Sequence, residues 1–186
     1  MSQKAFWGYV MRENSVKVKN IAPAALMTAV IAVCSQLAVP MPSGMPVTLQ
    51  TFAVALAGCF LGAKWGAASV TVYILLGTVG VPVFSGFKGG AQALFGATGG
   101  FIFGFIAMAI LCGLAAKSRI ALKILLCAAG LAVCHTAGVL QYSLVTGTPF
   151  TAAFLAVSLP FLLKDAVSLF LAAAAAGLMR RRLPAV

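Results

Sequence analysis

Long apolar runs that carry almost no charge constrain this chain more than any other feature. Residues 159–177, LPFLLKDAVSLFLAAAAAG, contain only Lys164 and Asp165 as charged side chains. A helix of about 20 apolar residues is long enough to cross the hydrocarbon core of a bilayer. Charged residues make up 8% of the chain, whereas they make up about a quarter of a soluble domain. The sequence therefore predicts an all-α integral membrane protein.

Pro- and Gly-rich segments and turns that contain Lys or Arg divide the apolar sequence into six predicted spans. They cover residues 21–39, 49–63, 67–81, 99–116, 124–145 and 160–179. We expect a tight turn at residues 64–66, and a semi-apolar loop with room for a short helix before the last span.

The segment before the first span differs in composition from the rest of the chain. Phe6, Trp7 and Tyr9 stand here beside four basic residues, which is typical of a segment that lies on an anionic leaflet. A mobile tail is the alternative. The predicted organisation is this basic, interfacial N-terminal segment, 1–20, followed by a six-helix membrane domain, 21–182.

The basic residues fall almost entirely on one side of the predicted bundle. With six spans, the N-terminal tail, the second and fourth loops and the C-terminal tail hold eleven of the 13 Lys and Arg residues. The opposite loops hold only Lys88, and Lys164 is within a span. Because cytoplasmic loops are enriched in Lys and Arg, both termini are predicted to be cytoplasmic. The net charge of +11 then marks these loops and not a nucleic-acid-binding surface.

Few side chains are available for catalysis or metal binding. The chain has two acids, Glu13 and Asp165, and one histidine, His135. No nucleophile–base pair, HExxH helix or P-loop is present in the sequence, so neither an enzyme nor a self-powered pump is expected. The five cysteines form no CxxC pair and are expected to pack as small apolar groups, and a lone histidine argues against a metal site.

Polar residues at membrane depth and in one Gly-rich loop are the candidate ligand groups. An ionisable residue inside a span is costly and usually functional, although for Asp165 a local pair with Lys164 is the alternative. Phe84, Phe87 and Phe95 of the Gly-rich loop could provide apolar walls. The full candidate substrate-binding set is Asp165, Lys164, Lys88, Ser168, Gln50, Tyr73, Phe84 and Ser85.

Small residues on the first span indicate a helix contact surface. Ala25 and Ala29 are four residues apart and therefore share one helix face. Such faces let two helices approach closely. The pattern fits docking of another membrane protein, and it fits packing within the chain equally well.

Three segments together carry a family resemblance. PVTLQTFAVALAGCFLG, SVTVYILLGTVGVPVFSGFKGG and FGATGGFIFGF resemble the BioY family, the biotin-specific S components of energy-coupling-factor transporters, over about residues 22–178. The resemblance implies a six-helix subunit of the bacterial cell membrane that binds biotin and needs no cofactor. A transmembrane coupling protein and two cytoplasmic ATPases would energise uptake. Ala25 and Ala29 would dock the coupling protein, and the sequence leaves homo-oligomerisation open.

The resemblance also implies roles for the candidate ligand groups. Asp165 matches the acid of a Pro-Gly-Asp-x-x-Lys motif, but Ser168 stands at the lysine position and Lys164 precedes the acid. A buried carboxylate accepts hydrogen bonds from the cyclic urea of biotin well. Ser168 or Gln50 could donate to the urea oxygen, and Lys88 or Lys164 could pair with the valerate carboxylate. The alternatives are an S component or small carrier for another vitamin, and a non-transport membrane scaffold.

Overall fold

The computed structural model describes residues 3–41 and 45–182, with side chains from Asn20 onward. Two short antiparallel strands, β1 (Ala38–Val39) and β2 (Val47–Thr48), pair with Ala38 opposite Thr48. The described helices are α1 (Gln3–Gln36), α2 (Gln50–Leu61), α3 (Ala63–Thr78), α4 (Gln92–Phe95), α5 (Gly99–Ala115), α6 (Ile120–Thr146), α7 (Phe150–Val157) and α8 (Leu159–Arg182).

The six longer helices each overlap one predicted span, with differences at the boundaries. Helix α1 begins at Gln3 and so includes most of the predicted N-terminal segment. The side chains of Phe6, Trp7 and Tyr9, on which the interfacial prediction depends, lie outside the described ones. The short helix expected before the last span is α7.

The turn predicted at residues 64–66 is wrong. Helix α2 ends at Leu61 and α3 begins at Ala63, so the chain reverses at Gly62 alone. Gly62 has a φ of +83°, a conformation that glycine adopts without the steric cost of a Cβ atom. A single such residue completes the reversal, and Lys64 and Trp65 form the first turn of α3.

Close contact with its neighbours places α5 at the centre of the bundle. A Cβ atom on Gly100 would lie 2.1 Å from the backbone oxygen of Ala137 in α6. A Cβ atom on Gly58 of α2 would lie 2.4 Å from the backbone oxygen of Ala109 in α5. The backbones of α2, α5 and α6 therefore approach to a distance that only glycine permits at these two positions.

The basic end of α8 meets the ends of α2 and α5 at one end of the bundle. Arg180 of α8 donates from Nε to the carbonyl oxygen of Phe60 at 3.0 Å. Its Nη1 donates to the carbonyl oxygen of Ala116 at 3.1 Å. Arg180 therefore satisfies terminal carbonyl groups of α2 and α5 that no helical N–H reaches. The ends of these two helices lie at the same pole as Arg181 and Arg182.

The opposite pole is built from loops held by the end of α1. The side chain of Gln36 donates to the carbonyl oxygens of Pro82 and Phe84 and accepts from the backbone N–H of Phe87. Phe84 and Lys88 exchange two backbone hydrogen bonds, which closes a small loop. β1 follows the end of α1, and Thr48 of β2, Ala93 of α4 and Val157 of α7 line one cavity at this pole.

Helix α1 turns one face toward α3 and leaves the other uncovered. Thr28 donates to the carbonyl oxygen of Ser69 at 3.0 Å, and Ser69 donates to that of Ala24 at 3.0 Å. Ala25 and Ala29 lie on the other face and are exposed. The interpretation of this pair as packing within the chain is therefore wrong for the described structure.

Length and composition identify two of the described helices as long and apolar enough to cross a membrane. They are Ile120–Thr146 and Leu159–Arg182. Shorter apolar helices cover Asn20–Gln36, Gln50–Leu61 and Gly99–Ala115. Large apolar side chains such as Leu75, Leu125 and Leu171 are exposed on the outside of the bundle, as a lipid-facing surface requires.

Candidate functional site

A cavity of about 120 Å³ lies at the pole opposite the basic end of α8. Its walls combine four aromatic rings with polar groups, as ligand sites commonly do. The aromatic residues are Phe84, Phe101, Phe105 and Phe161. The polar residues are Thr48, Gln50, Thr51, Ser85, Lys88, Thr98, His135, Lys164 and Asp165. These groups come from β2, α2, α5, α6, α8 and the Gly-rich loop, so only the folded bundle assembles the site.

Asp165 is the acidic group of this cavity. It lies within the first two turns of α8, and its side chain is only 6% exposed. Oδ2 is 3.1 Å from Nε2 of His135. Lys164 Nζ contacts Oδ1 and also donates to the carbonyl oxygen of Thr48 at 2.9 Å. The carboxylate therefore has charge compensation from Lys164, which in turn ties α8 to β2.

Two buried polar atoms of the described side chains have no hydrogen-bond partner, and both belong to residues of the cavity wall. They are Oγ of Ser85 and Oδ1 of Asp165. Lys164 lies against Oδ1 as an ion pair, so this oxygen has charge compensation but no hydrogen bond. A buried polar atom without a partner costs about 1–3 kcal/mol. The site therefore presents one hydroxyl and one carboxylate oxygen that a ligand could satisfy.

Gln50 is in the wall, whereas Tyr73 stands behind it. Gln50 accepts a hydrogen bond from the hydroxyl of Thr48 at 3.1 Å and donates to the hydroxyl of Tyr73 at 2.7 Å. Tyr73 is fully buried, packs edge-on against Phe84 and does not line the cavity. It therefore orients two wall residues, and Gln50 keeps one amide N–H for a ligand.

The other predicted residues divide into those that the structure brings together and those that it does not. Lys88 and Lys164 both line the cavity. Ser168 is buried in α8 but lies outside the cavity wall. Of the three aromatics expected as walls, Phe84 is one, whereas Phe87 and Phe95 are 72% and 77% exposed. The expectation for these two is wrong, because Phe87 points outward from the closed loop at Phe84–Lys88 and Phe95 points outward at the end of α4.

Sequence reasoning missed His135 as part of the site. From the sequence, His135 is a lone histidine that argues against a metal site, yet in the structure it is buried and contacts Asp165. An ionisable residue inside an apolar segment is itself a signal, and the same argument that selected Asp165 could have selected it. The walls formed by Phe101, Phe105 and Phe161 carry no such signal, because phenylalanine is common throughout apolar helices.

Three cysteines could hold a metal ion away from the cavity. The sulfur atoms of Cys59, Cys112 and Cys127 all lie within 4.8 Å of one another and are buried where α2, α5 and α6 meet. Three thiols suit a soft cation, but buried cysteine also packs as a small apolar side chain. None of the three cysteines is among the residues that line the cavity.

Comparisons with known proteins agree on one family. The BioY family matches residues 11–185 of the chain. The probable biotin transporter BioY of Pyrococcus horikoshii is 37% identical over 152 residues, which cover 82% of this chain and 90% of that protein. The biotin transporter BioY of Thermotoga maritima is 44% identical over 102 residues, which cover 55% of this chain and 60% of that protein.

One solved structure shares the fold over nearly the whole chain. It is the crystal structure of the S-component for biotin from an ECF-type ABC transporter, with a TM-score of 0.82 and 25% sequence identity. The match covers 90% of this chain and 94% of that one. The helical architecture is therefore that of an S component.

Proposed function

The chain belongs to the BioY family, and on this premise we propose that it is a biotin-binding S component that works with the energising subunits of an energy-coupling-factor transporter. Its role is to bind and carry a substrate, and it is not an enzyme. The observation that carries the proposal is the pair of buried atoms in the cavity wall that lack a hydrogen bond, Ser85 Oγ and the ion-paired Asp165 Oδ1.

The chemistry of these atoms suits a cyclic urea beside an apolar ring system. Asp165 Oδ1 is an acceptor for a urea N–H, and a hydrogen bond to a charged acceptor is stronger than one between neutral groups. Ser85 Oγ and the remaining amide N–H of Gln50 can donate to the urea oxygen. Phe84, Phe101 and Phe105 offer ring faces to the thioether-containing bicycle.

Equilibrium binding of labelled biotin to the purified protein tests the proposal. We expect saturable binding that unlabelled biotin displaces and that thiamine and riboflavin do not. Displacement by one of these other vitamins would assign the cavity to a different S-component substrate. No binding of any of the three would leave the family fold without the proposed activity.

The valerate carboxylate pairs with Lys88 in this proposal. Lys164 is already engaged by Asp165 and by Thr48, whereas Lys88 is an exposed residue at the cavity wall. Lys88→Gln should therefore weaken biotin binding by about 3- to 10-fold, which is less than for a buried charge pair because solvent surrounds the lysine.

Biotin amide supplies the control for this prediction, because it lacks the charge. Its affinity should change little in Lys88→Gln, and isothermal titration calorimetry measures both ligands. An equal loss for biotin and its amide would assign Lys88 a structural role. If Lys164→Gln instead weakens the binding of biotin but not of biotin amide, the valerate carboxylate pairs with Lys164 and not with Lys88.

In the proposed topology, the six helices of twelve or more residues cross the membrane with both termini in the cytoplasm. The basic pole formed around Arg180 then faces the cytoplasm, and the cavity faces outward. In a variant without native cysteines, Thr151→Cys in α7 should react with an impermeant maleimide added to intact cells. Lys117→Cys, between α5 and α6, should react only after the cells are opened. Labelling of Lys117→Cys in intact cells would contradict this orientation.

The exposed face of α1 docks the coupling protein in this proposal. Ala25→Leu and Ala29→Leu should prevent close helix approach, so copurification with the coupling protein and biotin uptake are lost. Biotin binding by the isolated subunit should remain, because neither residue lines the cavity. Ala132→Leu, on an exposed face of α6, is the matched control and should leave copurification intact. Loss of biotin binding in the α1 variants would argue against a docking surface.

A further inference from the structure

A buried histidine connects the acid of the cavity to the junction between two helices. His135 of α6 is 5% exposed. Its Nε2 is 3.1 Å from Oδ2 of Asp165, and its Nδ1 is 2.8 Å from Oγ of Ser158. Ser158 is fully buried and lies between α7 and α8. The three side chains form one continuous hydrogen-bonded row, Ser158–His135–Asp165.

The chemistry of the partners determines the direction of the hydrogen bond between His135 and Asp165. An ionised carboxylate only accepts, so Nε2 of His135 must carry the proton that it donates to Asp165. In the neutral imidazole with that proton on Nε2, Nδ1 accepts and the hydroxyl of Ser158 donates to it. The row therefore runs from Ser158 through His135 and ends on a single oxygen of Asp165.

The row leaves the two oxygens of Asp165 in different situations. Oδ2 is occupied by His135, whereas Oδ1 has the ion-pair contact with Lys164 and no hydrogen bond. The imidazole is itself held in place, because Phe101 packs edge-on against it with ring centres 5.8 Å apart. The carboxylate is thus fixed in one orientation before a ligand arrives, which reduces the ordering cost of binding.

We propose that His135 and Ser158 are positioning residues for substrate recognition, which hold Asp165 so that Oδ1 alone is presented to one N–H of the ligand's urea. The inference rests on the proposed function, because it requires a urea-containing ligand in this cavity. It assigns a role to two residues that do not themselves bind the urea. It also makes Asp165 a single acceptor and not a bidentate one.

Binding of labelled biotin to a set of variants tests this role. His135→Ala should weaken binding by about 10-fold, roughly the effect of one lost hydrogen bond to a charged group. His135→Gln should recover most of the affinity, because the amide nitrogen of Gln can donate from near the position of Nε2. Ser158→Ala should weaken binding by about 3-fold. Thr136→Ala, at the next and exposed position of α6, is the control and should bind as the unaltered protein does.

A double-mutant cycle separates positioning from a purely structural role. If His135 acts through Asp165, its replacement by Ala in an Asp165→Asn background should cost less than about twofold. Elution as a single symmetrical peak in size-exclusion chromatography identifies the variants that remain folded. A loss of equal size in both backgrounds would overturn the inference.

The imidazole signal of the unaltered protein provides a test that needs no variant to fold. The chain has one histidine, so its ¹⁵N and Nε2–H resonances in labelled protein are assigned without ambiguity. Addition of biotin should shift the Nε2–H resonance, because a urea N–H on Oδ1 withdraws electron density from the carboxylate that His135 contacts. An unchanged resonance at saturating biotin would overturn the inference while leaving the proposed function intact. Absence of biotin binding by the unaltered protein would instead reject the proposed function itself.

Discussion

Asp165→Asn should weaken biotin binding by about 30-fold or more, which corresponds to about 2 kcal/mol. The substitution keeps the size of the side chain but replaces a charged acceptor by an amide that also has N–H groups. If the amide nitrogen faces the ligand, an N–H opposes a urea N–H. If it faces Nε2 of His135, a donor opposes a donor. Isothermal titration calorimetry on the purified variant measures the loss.

Ser168→Ala is the matched control for this prediction. Ser168 lies one helical turn after Asp165 and is also buried, but it does not line the cavity. We expect the affinity of the Ser168→Ala variant for biotin to remain within about twofold of that of the unaltered protein. An Asp165→Asn variant that bound biotin within about threefold of the unaltered protein would reduce Asp165 to a structural partner of Lys164 and His135.

Gly100→Ala should destabilise the bundle by about 1–3 kcal/mol or more, because it overpacks the contact between α5 and α6. The added Cβ would meet the backbone oxygen of Ala137 at 2.1 Å, and backbone atoms inside a helix cannot move aside as a flexible side chain does. The temperature at which the detergent-solubilised protein loses its monodisperse form should fall. Biotin binding should weaken as well, since the next residue, Phe101, forms part of the cavity wall.

Gly177→Ala is the same change at an uncrowded position of α8. Apart from its chain neighbours and the adjacent backbone of α8, a Cβ on Gly177 would have no described atom within 4 Å. Because alanine is about 0.5–1 kcal/mol better than glycine inside a helix, this variant should be as stable as the unaltered protein or slightly more stable. Equal thermal stability of the two glycine variants would show that α5 and α6 are not as close as the structure has them.

The sequence alone predicts the helical class and the six long helices, and it selects most of the polar groups of the site. Apolar runs indicate helices because a bilayer or a helical core leaves backbone groups no partner but the helix itself. Asp165 and Lys88 were selected for the same reason: each is a charged group where charge is rare. Both line the cavity of the folded chain. These features depend on single segments of the chain, so local composition is sufficient to predict them.

Only the tertiary structure decided which side chains meet. His135 and Asp165 are 30 positions apart, and nothing in either segment indicates that α6 and α8 turn these residues toward each other. Phe84 faces the cavity and Phe87 faces outward, although one loop contains both. Ala25 and Ala29 are exposed because the other face of α1 bonds to α3. The rotation of each helix depends on close packing against its neighbours, at contacts such as that of Gly100 with Ala137. Such packing is a property of pairs of segments, which the composition of one segment does not determine.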